Sequence, residues 1–226
     1  MRLGAFSAKK VIYINAGHFK GDPGASCCPA SSTLVERDEV MKIRDAAVKY
    51  LLIAGFDVKI VPDDLNLTNS VAFVNQTAKT ENDGVALDIH LNNSKYGVRG
   101  TEVYSGDSVQ EKSQAGILSE TLSKTIGVPN RGYKSQTQSY LGSLMWINQV
   151  KCWSHIIECL YISSDEDRKA LNHDKVGQGI ALAVCKLFGF DIFFDDSPVI
   201  LSMKQTILEL QAKLVELLTK LLAKLR

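Results

Sequence analysis

The chain has 226 residues, and its 26 Lys and Arg residues nearly balance its 25 Asp and Glu residues, which leaves a formal charge of +1. This balance argues against a nucleic-acid-binding protein, because such proteins carry clustered excess positive charge. Hydrophobic residues make up 45% and charged residues 23% of the chain, which excludes a disordered or collagen-like protein. No apolar run approaches the roughly 20 residues that cross a bilayer. The first ten residues also lack the apolar stretch of a secretory signal, so we expect a protein made in the cytoplasm.

Short β-branched runs alternate along the chain with amphipathic stretches. The run at 11–16 stops at Gly17 and leads into a loop rich in Gly and Pro, after which apolar residues recur at helical spacing until Gly55. Further strands are predicted at 56–61, 85–90, 100–105 and 154–161, further helices at 68–79, 109–126, 140–147 and 165–188, and a polar loop at 130–132. This alternation predicts an α/β fold with a twisted, mostly parallel or mixed sheet of about six strands and helices on both faces.

The cysteines are five in number and cannot all pair with one another: Cys27, Cys28, Cys152, Cys159 and Cys185. Without a secretory signal, this odd number favours reduced thiols over a disulfide framework. Cys159 and Cys185 lie in apolar stretches and are expected to be small core residues. We assign no role to the adjacent Cys27 and Cys28.

Ionisable residues fall near the carboxyl ends of the predicted strands, where the active sites of α/β sheets gather. His18 follows the first strand, His90 ends a later one, Glu158 lies in the last, and Glu36 opens the first helix. Two imidazoles and a carboxylate would make a ligand set for catalytic zinc, and Glu158 could serve as the base. Spacing alone also permits structural histidines, because the ligands are dispersed and the sequence has no HExxH motif.

Six short segments follow one another in a fixed order: VIYINAGHFKGDPGA, VERDEVMKI, ALDIHLNNS, GTEVYS, NRGYK and IIECLYISSDED. They resemble the motifs of the zinc-dependent N-acetylmuramoyl-L-alanine amidases of the type 3 family, and they span roughly residues 9 to 190. Departures from the family pattern are Asn15 for Asp, Phe19 and Lys20 in place of a glycine pair, Val71 for Arg, Asp88 for Ser and Leu160 for Gly. None of them removes a ligand or the base.

The resemblance implies one zinc ion per chain, with His18, Glu36 and His90 as ligands and Glu158 as the catalytic glutamate. Glu39 competes with Glu36 for the second ligand position. We prefer Glu36, because the apolar residues that follow it then align with those of the family. The resemblance also implies hydrolysis of the amide bond between N-acetylmuramic acid and the L-alanine of the peptidoglycan stem peptide.

Asn92 and Arg131 are candidate substrate contacts, since Asn92 follows the second histidine and Arg131 belongs to the NRGYK motif. The alternative for Asn92 is a turn-forming role. Other hydrolase and nucleotide-binding classes lack their defining motifs, namely GxSxG, GxxxxGK[ST] and GxGxxG. A nonenzymatic wall-binding protein on the same fold would be expected to have lost a ligand or Glu158.

Residues 198–226 differ in character from the catalytic domain predicted at 1–192, and we predict a leucine-rich, coiled-coil-like amphipathic helix there. Its apolar residues alternate at intervals of three and four: Ile200, Met203, Ile207, Leu210, Leu214, Leu217 and Leu221. We expect this helix to form homo-oligomers. The alternatives are packing on its own catalytic domain and contact with a membrane or envelope surface, because Lys213, Lys220, Lys224 and Arg226 make the helix basic.

Amidases of this family usually act outside the cytoplasm, yet this sequence shows no export signal. The resemblance implies two routes to the cell wall: release of a phage or prophage endolysin at lysis, or a bacterial autolysin whose signal lies outside this sequence. The initial Met1 and the compact chain favour the endolysin, which would act on the wall after its release.

Overall fold

The computed structural model describes residues 10–28, 33–95, 97–190, 192 and 206. The chain divides into two units, Met1–Ile192 and Phe193–Arg226, and the fold described below is that of the first. The helix predicted at 198–226 lies outside the described residues, except for Thr206, which is helical and exposed. None of the described helices is both long enough and apolar enough to span a membrane.

A mixed sheet of six strands lies at the centre of this unit. The strands in chain order are β1 (Val11–Ala16), β2 (Ser26–Cys27), β3 (Leu34–Val35), β4 (Asp57–Ile60), β5 (Val85–Asn92), β6 (Thr101–Ser105), β7 (Asn130–Ser135) and β8 (Trp153–Tyr161). The sheet has the order β4-β1-β5-β8-β6-β7, while β2 and β3 form a separate antiparallel ribbon. All neighbours in the sheet are parallel except β6 and β8. The predicted sheet of about six strands is confirmed.

Six α-helices surround the sheet: α1 (Glu36–Ile53), α2 (Leu67–Thr77), α3 (Val109–Ile126), α4 (Met145–Gln149), α5 (Asp165–Ala170) and α6 (His173–Leu187). Residues of α2 and α4 share a core with Tyr13, Ala86 and Ile156 of the sheet. The alternate strand residues, such as Ile12 and Leu87, are buried as well, and α1, α3 and α6 pack together. Successive strand residues point to opposite faces of the sheet, so these two sets of buried residues belong to its two faces. Helices therefore cover both faces, as the sequence predicts.

Three local predictions are wrong. The short helix begins at Met145 instead of 140, and the last helix is divided into α5 and α6. The division lies at Leu171 and Asn172: the extended backbone of Leu171 ends α5, and the Asn172 side chain caps α6 by accepting a hydrogen bond of 3.0 Å from the Lys175 amide. The predicted loop at 130–132 is the start of the edge strand β7. An edge strand has a neighbour on one side only and is partly exposed, so it can carry polar residues. In the sequence these residues have the composition of a loop.

The cysteines also differ from expectation in one respect. Cys27 and Cys28 form a disulfide with each other, although the sequence favours free thiols. Adjacent residues bring their sulfurs close together without any long-range framework, so an odd cysteine number does not prevent this pairing. Cys159 and Cys185 are free and buried, as predicted.

Candidate metal and active site

His18 lies just beyond the carboxyl end of β1, with a left-handed backbone of φ 72°. This conformation is uncommon for a residue with a side chain and is concentrated at functional sites. The turn that follows is closed by two backbone hydrogen bonds between Phe19 and Asp22, of 3.1 and 2.8 Å. It returns the Asp22 carboxylate to His18, where Oδ2 lies 2.9 Å from Nδ1. The other ring nitrogen of His18, Nε2, lies 3.1 Å from Oε1 of Glu36.

Glu36 is the first residue of α1, and its side chain is buried between the loop that follows β1 and the end of β5. Oε1 lies 3.0 Å from His90 Nδ1 and accepts a hydrogen bond of 3.0 Å from the Leu91 amide. Oε2 accepts one of 2.8 Å from the Ala25 amide. The ribbon of β2 and β3 doubles the chain back, so that Ala25 meets the start of α1. One carboxylate oxygen is therefore shared by both predicted histidines.

His90 stands on β5 with its ring perpendicular to that of His18, and the two ring centroids are 4.9 Å apart. Its Nε2 lies 3.2 Å from Asp88 Oδ2. Each of His18, Glu36 and His90 offers one ligand atom, and these three atoms lie within 4.8 Å of one another. The structure thus brings together the three side chains predicted as metal ligands.

Two glycines leave the space that the imidazole rings occupy. A Cβ atom on Gly17 would lie 2.4 Å from Cε1 of His90, and one on Gly24 would lie 2.5 Å from Nε2 of His18. Gly24 also has a φ of +67°, which favours glycine. Any side chain at either position would displace a ring.

Glu39, the competing ligand candidate, lies one turn further along α1 and has other partners. Its Oε1 lies 2.7 Å from Lys42 Nζ, and its Oε2 lies 2.6 Å from His173 Nε2. Of the two glutamates, Glu36 is the one that contacts His18 and His90.

Glu158 occupies β8, which runs between β5 and β6. It pairs in register with His90 on one side and with Glu102 on the other. Its Oε2 atom is buried and has no hydrogen-bond partner among the described residues. Such an atom costs free energy, and a catalytic role is one explanation for its presence.

A polar pocket lies on the Glu102 side of this row, lined by Asn92, Asn93, Ser94, Val98, Glu102, Tyr104, Arg131, Lys134, Gln138 and Tyr161. Glu102 is buried at its base and accepts hydrogen bonds from Arg131 Nε at 2.7 Å, Asn92 Nδ2 at 2.8 Å and Tyr161 OH at 3.1 Å. Arg131 has no partner in the register between β6 and β7, where Thr101 pairs with Asn130 and Glu102 with Gly132. This bulge aims Arg131 into the pocket. Both predicted substrate contacts therefore line one pocket.

A family model described as N-acetylmuramoyl-L-alanine amidase matches residues 12–187, which is most of the chain. The chain belongs to this family. Its membership confirms the predicted class of function, a peptidoglycan hydrolase. A search of curated protein sequences gives no significant match.

Solved structures of amidases share the fold of this amidase. AmiC2 of Nostoc punctiforme is 22% identical and has a TM-score of 0.67, over 81% of this chain and 99% of that chain. The catalytic domain of CwlV from Bacillus (Paenibacillus) polymyxa is 23% identical with a TM-score of 0.65, over 80% and 99% of the two chains. The catalytic domain of the CD27L endolysin, which targets Clostridia difficile, is 18% identical with a TM-score of 0.62, over 81% and 99%.

The charges around the two imidazoles fit a divalent cation. Asp22, Glu36 and Asp88 all contact the histidines of this amidase. Burial opposes ionisation of Glu36, but hydrogen bonds from the two histidines hold its pKa well below the usual range. Burial likewise opposes protonation of His90, but the charge of Asp88 raises its pKa well above the usual value. A cation could replace these protons, with the two imidazoles neutral and Asp22 and Asp88 behind them.

The environment of Glu158 suits proton transfer near neutral pH. Burial, opposed by His90 and reinforced by the charge of Glu36, raises the pKa of Glu158 to about 8. A carboxyl group with such a pKa can both accept and donate a proton at physiological pH. By contrast, burial lowers the pKa of His155 to about 3, and its ring contacts Ser105 and Gln114. His155 is therefore neutral and structural.

Two acidic residues of the site escaped the sequence analysis. Asp22 follows His18 by four residues in the same loop. A carboxylate so close in sequence to a predicted histidine ligand could have been predicted as its hydrogen-bond partner. Glu102 is a charged residue between the buried Thr101 and Val103 of a strand, which is costly unless the charge is paired. Each signal points to a residue that supports a functional side chain: Asp22 supports His18, and Glu102 supports Arg131 and Asn92.

We expect the metal-free protein to lose stability as the pH rises from about 4.5 to about 8, which are the ordinary and folded-state pKa values of Glu158. In this interval the folded state binds more protons than the unfolded state, so the free energy of unfolding falls with rising pH. The raised pKa of His90 acts in the same direction above its ordinary value of 6.5. Thermal unfolding of the chelator-treated protein at a series of pH values measures the slope. Glu158→Gln should flatten it, and the exposed Glu81→Gln should not; equal slopes in both variants would contradict the assignment.

Proposed function

We propose that this amidase binds one zinc ion through His18, Glu36 and His90 and hydrolyses the amide bond between N-acetylmuramic acid and L-alanine. The observation that carries the proposal is the shared oxygen of Glu36, which lies within 3.1 Å of a ring nitrogen of each histidine. Two imidazoles and one carboxylate are a ligand set of catalytic zinc, and three protein ligands leave a position open for water.

When bound, zinc would lower the pKa of a water molecule and polarise the scissile carbonyl group. Glu158 would then take a proton from the attacking water, because it pairs in register with His90 on the neighbouring strand. The same carboxyl group would return this proton to the departing amine of L-alanine. In the metal-free protein burial raises the pKa of this carboxyl group to about 8, well above that of an exposed glutamate, which favours a group that both accepts and donates a proton.

The pocket beside Glu158 is proposed to hold the stem peptide or the adjoining sugar through Asn92 and Arg131. Glu102 binds both side chains, which fixes their positions before a substrate arrives. The Arg131 guanidinium also lies 5.4 Å above the ring of Tyr161. A pocket of amide, hydroxyl and guanidinium groups suits a ligand rich in peptide and hydroxyl groups.

We further propose that the protein is a phage or prophage endolysin that reaches the wall after release from the cytoplasm. The catalytic domain of the CD27L endolysin has the same fold, so this fold is one that serves an endolysin. A bacterial autolysin is the alternative. The genes that flank the coding sequence test the origin. Lysis genes beside it would support an endolysin, and bacterial chromosomal genes unrelated to a prophage would contradict it.

The zinc mechanism predicts different losses for the base and for a ligand. With zinc, purified peptidoglycan should release free amino groups without new reducing sugar ends. Glu158→Gln should keep one bound zinc per chain but lose about 10²- to 10⁴-fold in rate, the range expected for one acid–base group. His18→Ala should lose both metal and activity. The control is Glu39→Gln, also on α1, which should retain both; full activity in zinc-loaded Glu158→Gln would refute the assigned roles.

The pocket proposal predicts a loss of substrate binding in Arg131→Ala. Removing one charge-assisted hydrogen bond of about 1.5 kcal/mol should raise KM for a muramoyl peptide about tenfold, with a smaller change in kcat. Lys124→Ala removes a positive charge from an exposed helical site and should leave KM unchanged. Equal KM values for Arg131→Ala and the parent protein would remove Arg131 from the substrate contacts.

We also propose that residues 198–226 assemble copies of the chain through their leucine-rich face. The support is the heptad pattern of the sequence, in which Leu210, Leu214 and Leu217 would lie on one side of a helix. Light scattering should give a multiple of the chain mass for the full protein and a single chain mass for Leu214→Lys. Lys213→Ala, at the adjacent position, should keep the oligomer. A monomer in every case would contradict this proposal and leave packing on the catalytic domain or a membrane contact.

A further inference from the structure

Two of the positions at which the sequence departs from the family pattern are direct neighbours in the sheet. Asn15 of β1 and Asp88 of β5 are register partners, and Asn15 Nδ2 donates a hydrogen bond of 2.7 Å to Asp88 Oδ1. The pattern has Asp at the first position and Ser at the second, so this chain carries the carboxylate on the other strand of the pair. Both residues are buried, with 7% and 3% exposure.

Asp88 connects this pair to the site. Its second oxygen, Oδ2, lies 3.2 Å from His90 Nε2, and the opposite ring nitrogen, Nδ1, lies 3.0 Å from Glu36 Oε1. The buried carboxylate therefore has an amide donor on one oxygen and an imidazole on the other. Burial of a carboxylate is costly without such partners, so the position of Asp88 depends on both.

We propose that Asp88, held in place by Asn15, is a positioning residue that orients His90 for metal binding. A carboxylate that accepts the N–H of one ring nitrogen fixes the tautomer and the plane of the imidazole, and it directs the other nitrogen to the metal. In this chain Nδ1 faces the shared oxygen of Glu36. The inference rests on the proposed function, because it assigns a role toward the proposed zinc ion.

Asn15 is suited to this arrangement because its amide donates to Asp88 without adding charge. An aspartate at position 15 would place a second carboxylate at hydrogen-bond distance from the first, and two buried carboxylates repel each other. Replacing Asp88 by an uncharged residue removes that repulsion. The two positions should therefore behave as a coupled pair in which one carboxylate is tolerated and two are not.

Zinc affinity, measured by competition with a chromogenic chelator, tests the role of Asp88. Asp88→Asn should weaken binding about 10- to 100-fold, the usual effect of losing such a partner. Asp88→Ser, which introduces the smaller residue of the family pattern, should weaken zinc binding to a similar extent. It serves as the second variant in case Asp88→Asn folds poorly. Ser105→Ala is the control, since it removes a hydrogen bond to the buried His155 in the same sheet and should lower thermal stability without changing zinc affinity.

The coupling gives a second readout that a merely structural role would not produce. Asn15→Asp alone should weaken zinc binding and lower thermal stability. The double variant Asn15→Asp with Asp88→Asn should recover part of the stability, because it again has one buried carboxylate, while its zinc affinity should stay as low as that of Asp88→Asn. Unchanged zinc affinity in Asp88→Asn and Asp88→Ser, or equal stability losses in the single Asn15→Asp and the double variant, would overturn the inference. Absence of zinc binding by the parent protein would overturn the proposed function together with it.

Discussion

The rest of the site depends on the contacts of one buried group, the carboxylate of Glu36, with His18 and His90. It joins the loop after β1, the start of α1 and the end of β5, three segments that are far apart in sequence. A buried negative charge is tolerated only when it is paired and hydrogen-bonded, and Glu36 receives two backbone amides and two imidazoles. Its place in the first turn of a helix adds the favourable field of the helix N-terminus. The positions of both histidines therefore depend on the contacts that enclose this group.

The position of β8 determines how the side chains of the site are arranged across the sheet. Because β8 lies between β5 and β6, one row of side chains runs from His90 through Glu158 to Glu102. The first belongs to the proposed metal site, the second carries the proposed proton transfers, and the third forms the base of the pocket. The register of β6 against β8 is what brings a pocket residue into this row.

Elements with strong local signals could be predicted from the sequence, and elements decided by distant partners could not. The bounds of α3 are those predicted, since Ser108 and Glu111 form a capping box and Gly127 ends the helix with a left-handed backbone. The ends of β1 and β5 were predicted closely enough to place His18 and His90 together. The strand β7 was missed because its polarity reflects an edge and a bulge, which only the neighbouring β6 defines. Asp88 departs from the family pattern in the sequence, but its partners follow only from the register of β1 and β5.

The bulge at Arg131 lies on the edge strand β7, where substitutions disturb the sheet less than they would on the central strands. Arg131 belongs to an edge strand that has a single neighbour in the sheet, whereas His90 and Glu158 stand on strands enclosed on both sides. Insertions or substitutions in β7 can reshape one wall of the pocket while the central strands keep their register. With the stem peptide in this pocket, as proposed, substrate preference can be altered at the sheet margin without disturbing the central strands, which makes that margin the natural place to introduce a new specificity by design.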